Sequence, residues 1–130
     1  MKKILPVLLV ALLLVGCAAP AEEISYRQVS MDEAITMMEE GSGYIILDVR
    51  TPEEFVERHI PGAINIPNET ISTEEIPELP DKDLLILVYC RSGNRNKQAS
   101  EKLVALGYTN IVEFGGINDW PGETVSGTGL

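Results

Sequence analysis

Residues 84–106 read LLILVYCRSGNRNKQASEKLVAL. Leu84 to Tyr89 is an unbroken apolar run, the pattern of a central parallel strand covered on both faces. Arg95 to Leu106 places Ala99, Leu103 and Leu106 at helical spacing, and Gly107 ends the helix. Between strand and helix lies only a short polar loop beginning at Cys90. Strand, tight loop and helix are the unit from which parallel α/β sheets are assembled.

The same alternation extends in both directions. Tyr26 to Val29 reads as a short strand. Ser30 and Glu33 form a capping box before a helix from Met31 to Glu40, with Ala34, Ile35 and Met38 on one face. Gly41 and Gly43 stop it, and Tyr44 to Leu47 is an apolar strand. Thr51 and Glu54 make a second capping box, with Pro52 at the first position of a helix reaching about Arg58. Ala63 to Ile66 is a third strand, bounded by Pro61-Gly62 and Pro67. Residues 68–83 are acidic and dotted with proline, and one helical turn is expected near Thr73 to Ile76. Ile111 to Phe114 is a fifth strand, followed by Gly115-Gly116 and a short helix from Ile117 to Trp120. The pattern predicts an α/β domain over residues 24–122, with a five-stranded, mainly parallel sheet flanked by helices and a flexible tail at 123–130. Ligands of such sheets bind beyond the carboxyl ends of the strands, so the loops after Leu47, Tyr89 and Phe114 are the places to look.

Composition narrows the function. A chain of 130 residues allows one domain of this kind. Its formal charge of −10 excludes nucleic acid as the expected partner, because phosphate backbones need clustered Lys and Arg. Two cysteines are too few for a disulfide scaffold or a structural zinc site, and neither metal nor cofactor is expected.

The amino terminus reads as an address. Lys2 and Lys3 precede an apolar run from Ile4 to Val15, too short for the roughly 20 residues that span a bilayer. Leu14-Val15-Gly16-Cys17 follows directly and resembles the lipobox of bacterial lipoproteins. The resemblance implies a signal peptide at 1–16, cleavage before Cys17, lipid on that cysteine and a lipidated tether at 17–23. The domain is then expected outside the cytoplasm, anchored to a bacterial membrane. Only Cys90 is left as a thiol, with no resolving cysteine for disulfide chemistry.

The loop Cys90-Arg91-Ser92-Gly93-Asn94-Arg95 combines four features. A cysteine ends the most apolar strand. A glycine and small polar residues let backbone N–H groups turn inward. Two arginines flank the loop, and a helix N-terminus follows at once. Each feature favours a negative charge on or near the sulfur. Residues 90–100 carry Arg91, Arg95 and Lys97 and no acid, in an otherwise acidic chain. A buried filler cysteine would explain neither the glycine nor the arginines.

At this point four blocks coincide: DVRTPEEF (48–55), HIPGAINIP (59–67), CRSGNR (90–95) and GGINDW (115–120). In order and spacing they resemble the rhodanese domain. The resemblance implies a five-stranded parallel sheet with Cys90 at the base of a cradle-like loop. It implies a sulfurtransferase in which the Cys90 thiolate takes sulfur from a small anionic donor such as thiosulfate, or from a persulfide. A thiol or cyanide-like acceptor then discharges the Cys90 persulfide. Backbone N–H groups of residues 91–95 would hold the persulfide, and Arg91 and Arg95 would orient the donor. Two other readings remain open: a persulfide carrier or protein-binding module without turnover, and cysteine phosphatase or arsenate reductase chemistry. The phosphatase motif Cys-x5-Arg fits poorly, because its last position is Asn96 and the arginine comes one residue early.

Asp48 and Arg50 match the first block and are expected to support the site as structural partners. His59, the only histidine, is expected to make a structural hydrogen bond. Arg58 stands where the family usually has glycine, which puts the local turn in question. Phe114 and Trp120 are expected in the core, and the acids of 69–83 on a solvated face.

Overall fold

The computed structural model describes residues 25–128. The strands are β1 (Arg27–Gln28), β2 (Ile45–Asp48), β3 (Ile64–Asn65), β4 (Ile86–Cys90) and β5 (Ile111–Gly116). The helices are α1 (Met31–Glu40), α2 (Pro52–Glu57) and α3 (Arg95–Ala105). Two 3₁₀ turns lie at Asn68–Thr70 and Ile117–Asp119. All five strands pair in parallel in the order β1-β5-β4-β2-β3, so the apolar run is the middle strand. The expected fold class is what the chain adopts.

Each of the five residues of β4 is buried, as a strand covered on both faces requires. Ile86, Val88 and Cys90 point into one core with Ala99 and Leu103 of α3 and with Ile71 and Leu79. Leu87 and Tyr89 point into the other, with Ala34 of α1, Phe55 of α2 and Phe114. This two-residue alternation puts the Cys90 sulfur on the α3 side and the Tyr89 ring on the α2 side.

Of the two expected capping boxes, the one at Thr51 is complete and the one at Ser30 is half-formed, its Glu33 side chain meeting Ser30 Oγ and not the backbone N–H. Ser30 Oγ accepts from the backbone N–H of Glu33, 3.1 Å away. Thr51 Oγ1 accepts from Glu54 N, and a Glu54 carboxylate oxygen accepts from Thr51 N. The helical turn expected at Thr73–Ile76 is absent, and the helical turn of this segment lies earlier, at Asn68–Thr70. Pro77 explains the difference, since its ring disfavours helical backbone at the residue before it, Ile76. The segment is fixed instead by Ile71, Ile76 and Leu79, which are buried while its acids are exposed.

The end of the chain, expected to be loose, carries pairing at two positions. Val125 exchanges both backbone hydrogen bonds with His59, at 2.8 and 2.9 Å, and Gly127 N donates to Val56 O. Phe114 is buried and Trp120 partly so. The segment read as an export signal, with Cys17, lies outside the described residues. Among those described, no helix is long and apolar enough to cross a membrane.

Candidate active site

Cys90 is the last residue of the middle strand, and α3 begins five residues later. The intervening backbone must reverse direction over its own sulfur. Gly93 does this at φ +106°, a conformation that side chains disfavour. Its N–H then points back and donates to Cys90 Sγ at 3.0 Å. Arg91, Ser92 and Asn94 are exposed around this turn, and Asn94 makes no side-chain cap bond to α3.

The loop is seated on the end of β5. A Cβ at Gly116 would lie 2.0 Å from Arg91 O and 2.7 Å from Ser92 N, so no side chain fits there. Asn118 N donates to Arg91 O at 3.2 Å. The second of the two glycines read from the sequence as a turn is therefore also the floor of the loop.

Sulfur and floor are joined by buried polar side chains. Cys90 Sγ lies 3.3 Å from Asn96 Oδ1, and Asn96 Nδ2 donates to Glu113 Oε2. Asn96 and Glu113 are both buried.

The arginines take different parts. Arg95 makes a bidentate pair with Glu54 of α2, at 2.7 and 3.1 Å. That bond, with the backbone and side chain of Thr51 adding to it, holds the Glu54 carboxyl down at about 2 despite partial burial. The same bond raises the Arg95 guanidinium above its usual value. Arg95 is thus largely neutralised rather than free for an anion. Arg91 is 64% exposed and only 4.0 Å from the shared Glu54, and Lys97 is exposed. The positive charge facing solvent rests chiefly on these two.

Asp48 and Arg50 adjoin the loop at the end of β2. Asp48 Oδ2 accepts from Arg50 Nη2 at 2.7 Å and from the Tyr89 hydroxyl at 2.6 Å, and Oδ1 accepts from Arg50 N. Burial opposes the Arg50 charge, but Asp48 outweighs it and raises the guanidinium above its ordinary value. Burial and the Asp48 charge push the Tyr89 phenol up in turn, so the hydroxyl stays a donor. Arg50 also donates to Arg58 O at 2.6 Å. The expected structural partnership of Asp48 and Arg50 is present, and both are buried. Arg50, Glu54, Arg58, Arg91 and Asn118 border a cleft of about 120 Å³ beside the loop.

His59 is fully buried and takes no part in the cleft. Its ring stacks on Phe55 at 3.7 Å, and its Nδ1 lies 2.8 Å from Phe55 O, so Nδ1 carries the donated proton. Arg58 before it has φ −169°, extended backbone that any residue adopts, so glycine is not needed there. The sequence reading missed Glu54, Tyr89, Asn96, Glu113 and Asn118 as members of this neighbourhood. Glu54 was legible only as a capping residue and Asn96 only as a missing arginine.

Comparison with known proteins finds relatives of the whole domain. The rhodanese-like domain family matches residues 30–123. The thiosulfate sulfurtransferase PspE of Escherichia coli K12 is 40% identical over 73 residues, 56% of this chain and 70% of that protein. The thiosulfate sulfurtransferase GlpE of Pseudomonas entomophila is 30% identical over 107 residues, 78% of this chain and 94% of that protein. A solved rhodanese with anions from E. coli has 39% identity and a TM-score of 0.59, covering 65% of this chain and 99% of its own. A human single-domain sulfurtransferase, TSTD1, has 26% identity and a TM-score of 0.64, covering 74% of this chain and 96% of its own.

Proposed function

The chain belongs to the rhodanese-like family and is a rhodanese-type sulfurtransferase; from that premise we propose that Cys90 carries the sulfur as a persulfide. The observation that supports this most is the Gly93 N–H, which donates to Cys90 Sγ at 3.0 Å where the loop turns back over the strand end. The proposed donor is thiosulfate or a persulfide. The Cys90 thiolate attacks the outer sulfur of thiosulfate. A sulfur–sulfur bond forms to Sγ, the donor's sulfur–sulfur bond breaks, and sulfite leaves with its electron pair. The negative charge on the enzyme now sits on the outer sulfur, within reach of inward-facing loop N–H groups. An acceptor thiolate or cyanide takes that sulfur and returns the thiolate.

In this reading Arg91 and Lys97 draw the anionic donor, while Arg95 holds α2 against the loop through Glu54. Asp48 and Arg50 brace the loop from the neighbouring strand. Phosphatase chemistry is not favoured, because Asn96 fills the arginine position with a side chain committed to Sγ and Glu113. We also propose that the chain is exported and held at a bacterial membrane by lipid on Cys17.

Steady-state thiocyanate production from thiosulfate and cyanide tests the reaction. The expected result is ping-pong kinetics abolished in Cys90→Ser. Sulfur uptake without discharge to any acceptor would instead identify a carrier. Undiminished turnover in Cys90→Ser would remove Cys90 from the reaction.

A further inference from the structure

Behind Cys90 lies a buried polar pair for which sulfur transfer as set out above has no use. Asn96 is wholly buried and Glu113 is 1% exposed. Glu113 Oε2 accepts from both Asn96 Nδ2 and Gly115 N, the latter at 3.1 Å. Its other oxygen, Oε1, is buried without a hydrogen-bond partner among the described residues. None of the ion pairs among those residues includes Glu113. Placing a carboxyl there is costly, and leaving one oxygen unpaired adds to the cost.

An amide has one donating end and one accepting end, so fixing one end fixes the other. We infer that Glu113 is a positioning residue acting through Asn96: by holding Nδ2 it keeps Oδ1 against the Cys90 sulfur. The inference rests on Cys90 being the reacting sulfur.

An amide oxygen 3.3 Å from Sγ accepts a hydrogen bond from a thiol and repels a thiolate. Gly93 N–H, donating to the same atom, does the opposite. The two contacts divide the cycle between them. Before uptake, Asn96 Oδ1 stabilises the empty enzyme as the thiol. On uptake the S–H proton goes to solvent, Sγ bonds to the donor's outer sulfur, and sulfite leaves with its bonding pair. Sγ is then an uncharged sulfide, and Oδ1 faces it without repulsion. The pair therefore favours the thiol and the persulfide over the bare thiolate, the form most open to oxidation.

Other charges lie around this loop. Arg95 is coupled electrostatically to Cys90 and is paired with Glu54 of α2, Arg91 and Lys97 stand exposed on the loop and α3, and the Asp48–Arg50 pair lies on the Tyr89 side of the strand. Glu69, from the 3₁₀ turn, acts on Arg95. The substitutions below leave all of them in place.

The test is the pH profile of iodoacetamide alkylation of the full chain, read on the Cys90 peptide so that Cys17 does not contribute. Glu113→Met frees Asn96 to turn Nδ2 toward sulfur, and Asn96→Ala removes Oδ1. Each is expected to lower the pH of half-maximal alkylation by about one unit, raising the rate below it about tenfold. The double variant should match Asn96→Ala, because Glu113 acts only through Asn96. Glu113→Gln should keep the parent profile, since its amide oxygen can accept from the same two N–H groups. A parent-like profile in Glu113→Met, additive shifts in the double variant, or equal shifts in Glu113→Gln and Glu113→Met would overturn the inference. If Glu113→Met does not fold, Glu113→Ala takes its place and is expected to shift as Asn96→Ala does while Glu113→Gln does not, and a parent-like profile in Glu113→Ala overturns the inference. The alkylation needs no sulfur donor, so its outcome is separate from whether Cys90→Ser abolishes turnover.

Discussion

At the scale of single residues, the site depends on positions where almost nothing else fits. Gly116 is one, because the loop backbone occupies the space a side chain would need. Gly116→Ala must push Arg91 O aside and move the sulfur's surroundings with it. A displacement near 1 Å can cost about a hundredfold in rate, and thiosulfate turnover of Gly116→Ala is expected to fall by that order. Turnover within twofold of the parent would contradict the close packing. Asp48 is a second such position, because it accepts from Arg50 and Tyr89 in a fully buried setting. Asp48→Asn leaves the Arg50 charge without its counterion, a change that costs about 3–5 kcal/mol in buried pairs. Urea unfolding should show a lower midpoint with an unchanged slope.

At the scale of elements, α2 and the Cys90 loop are tied by Glu54 and Arg95. The Glu54 carboxyl lies at about 2, below its ordinary value of 4.5, chiefly because Arg95 donates to it. A lowered carboxyl contributes stability at pH above its unfolded value, and that contribution is lost as pH falls toward the folded one. Glu54→Gln should therefore lose less stability than the parent between about pH 4.5 and pH 2. Thermal melts across that range check it, and parallel curves would contradict it. The elements themselves were legible because strand and helix periodicities are strong in this chain. The turn at Thr73–Ile76 was misplaced because Pro77 acts on the residue before it, an effect that apolar spacing does not display. Cys90, Gly93 and the flanking arginines were legible as a site because they stand together in one loop. Glu54, Asn96 and Glu113 were not, because their roles come from contacts across 41, 6 and 17 positions of chain. The loop's basic charge was overestimated for the same reason, since Glu54 neutralises Arg95 from another element.

At the scale of the whole molecule, a strongly acidic chain carries exposed Arg91 and Lys97 beside one sulfur, and residues 14–17 resemble a lipobox. Cys17→Ser, expressed in a bacterium that processes lipoproteins, is expected to stay uncleaved or to leave the membrane fraction. Normal processing and membrane retention of that variant would contradict the anchor. The central claim concerns the other cysteine, and intact-mass measurement tests it most directly. After treatment with thiosulfate, the folded domain should gain the mass of one sulfur atom, lose it to cyanide, and show no gain in Cys90→Ser. No gain in the parent, or an equal gain in Cys90→Ser, would contradict the account.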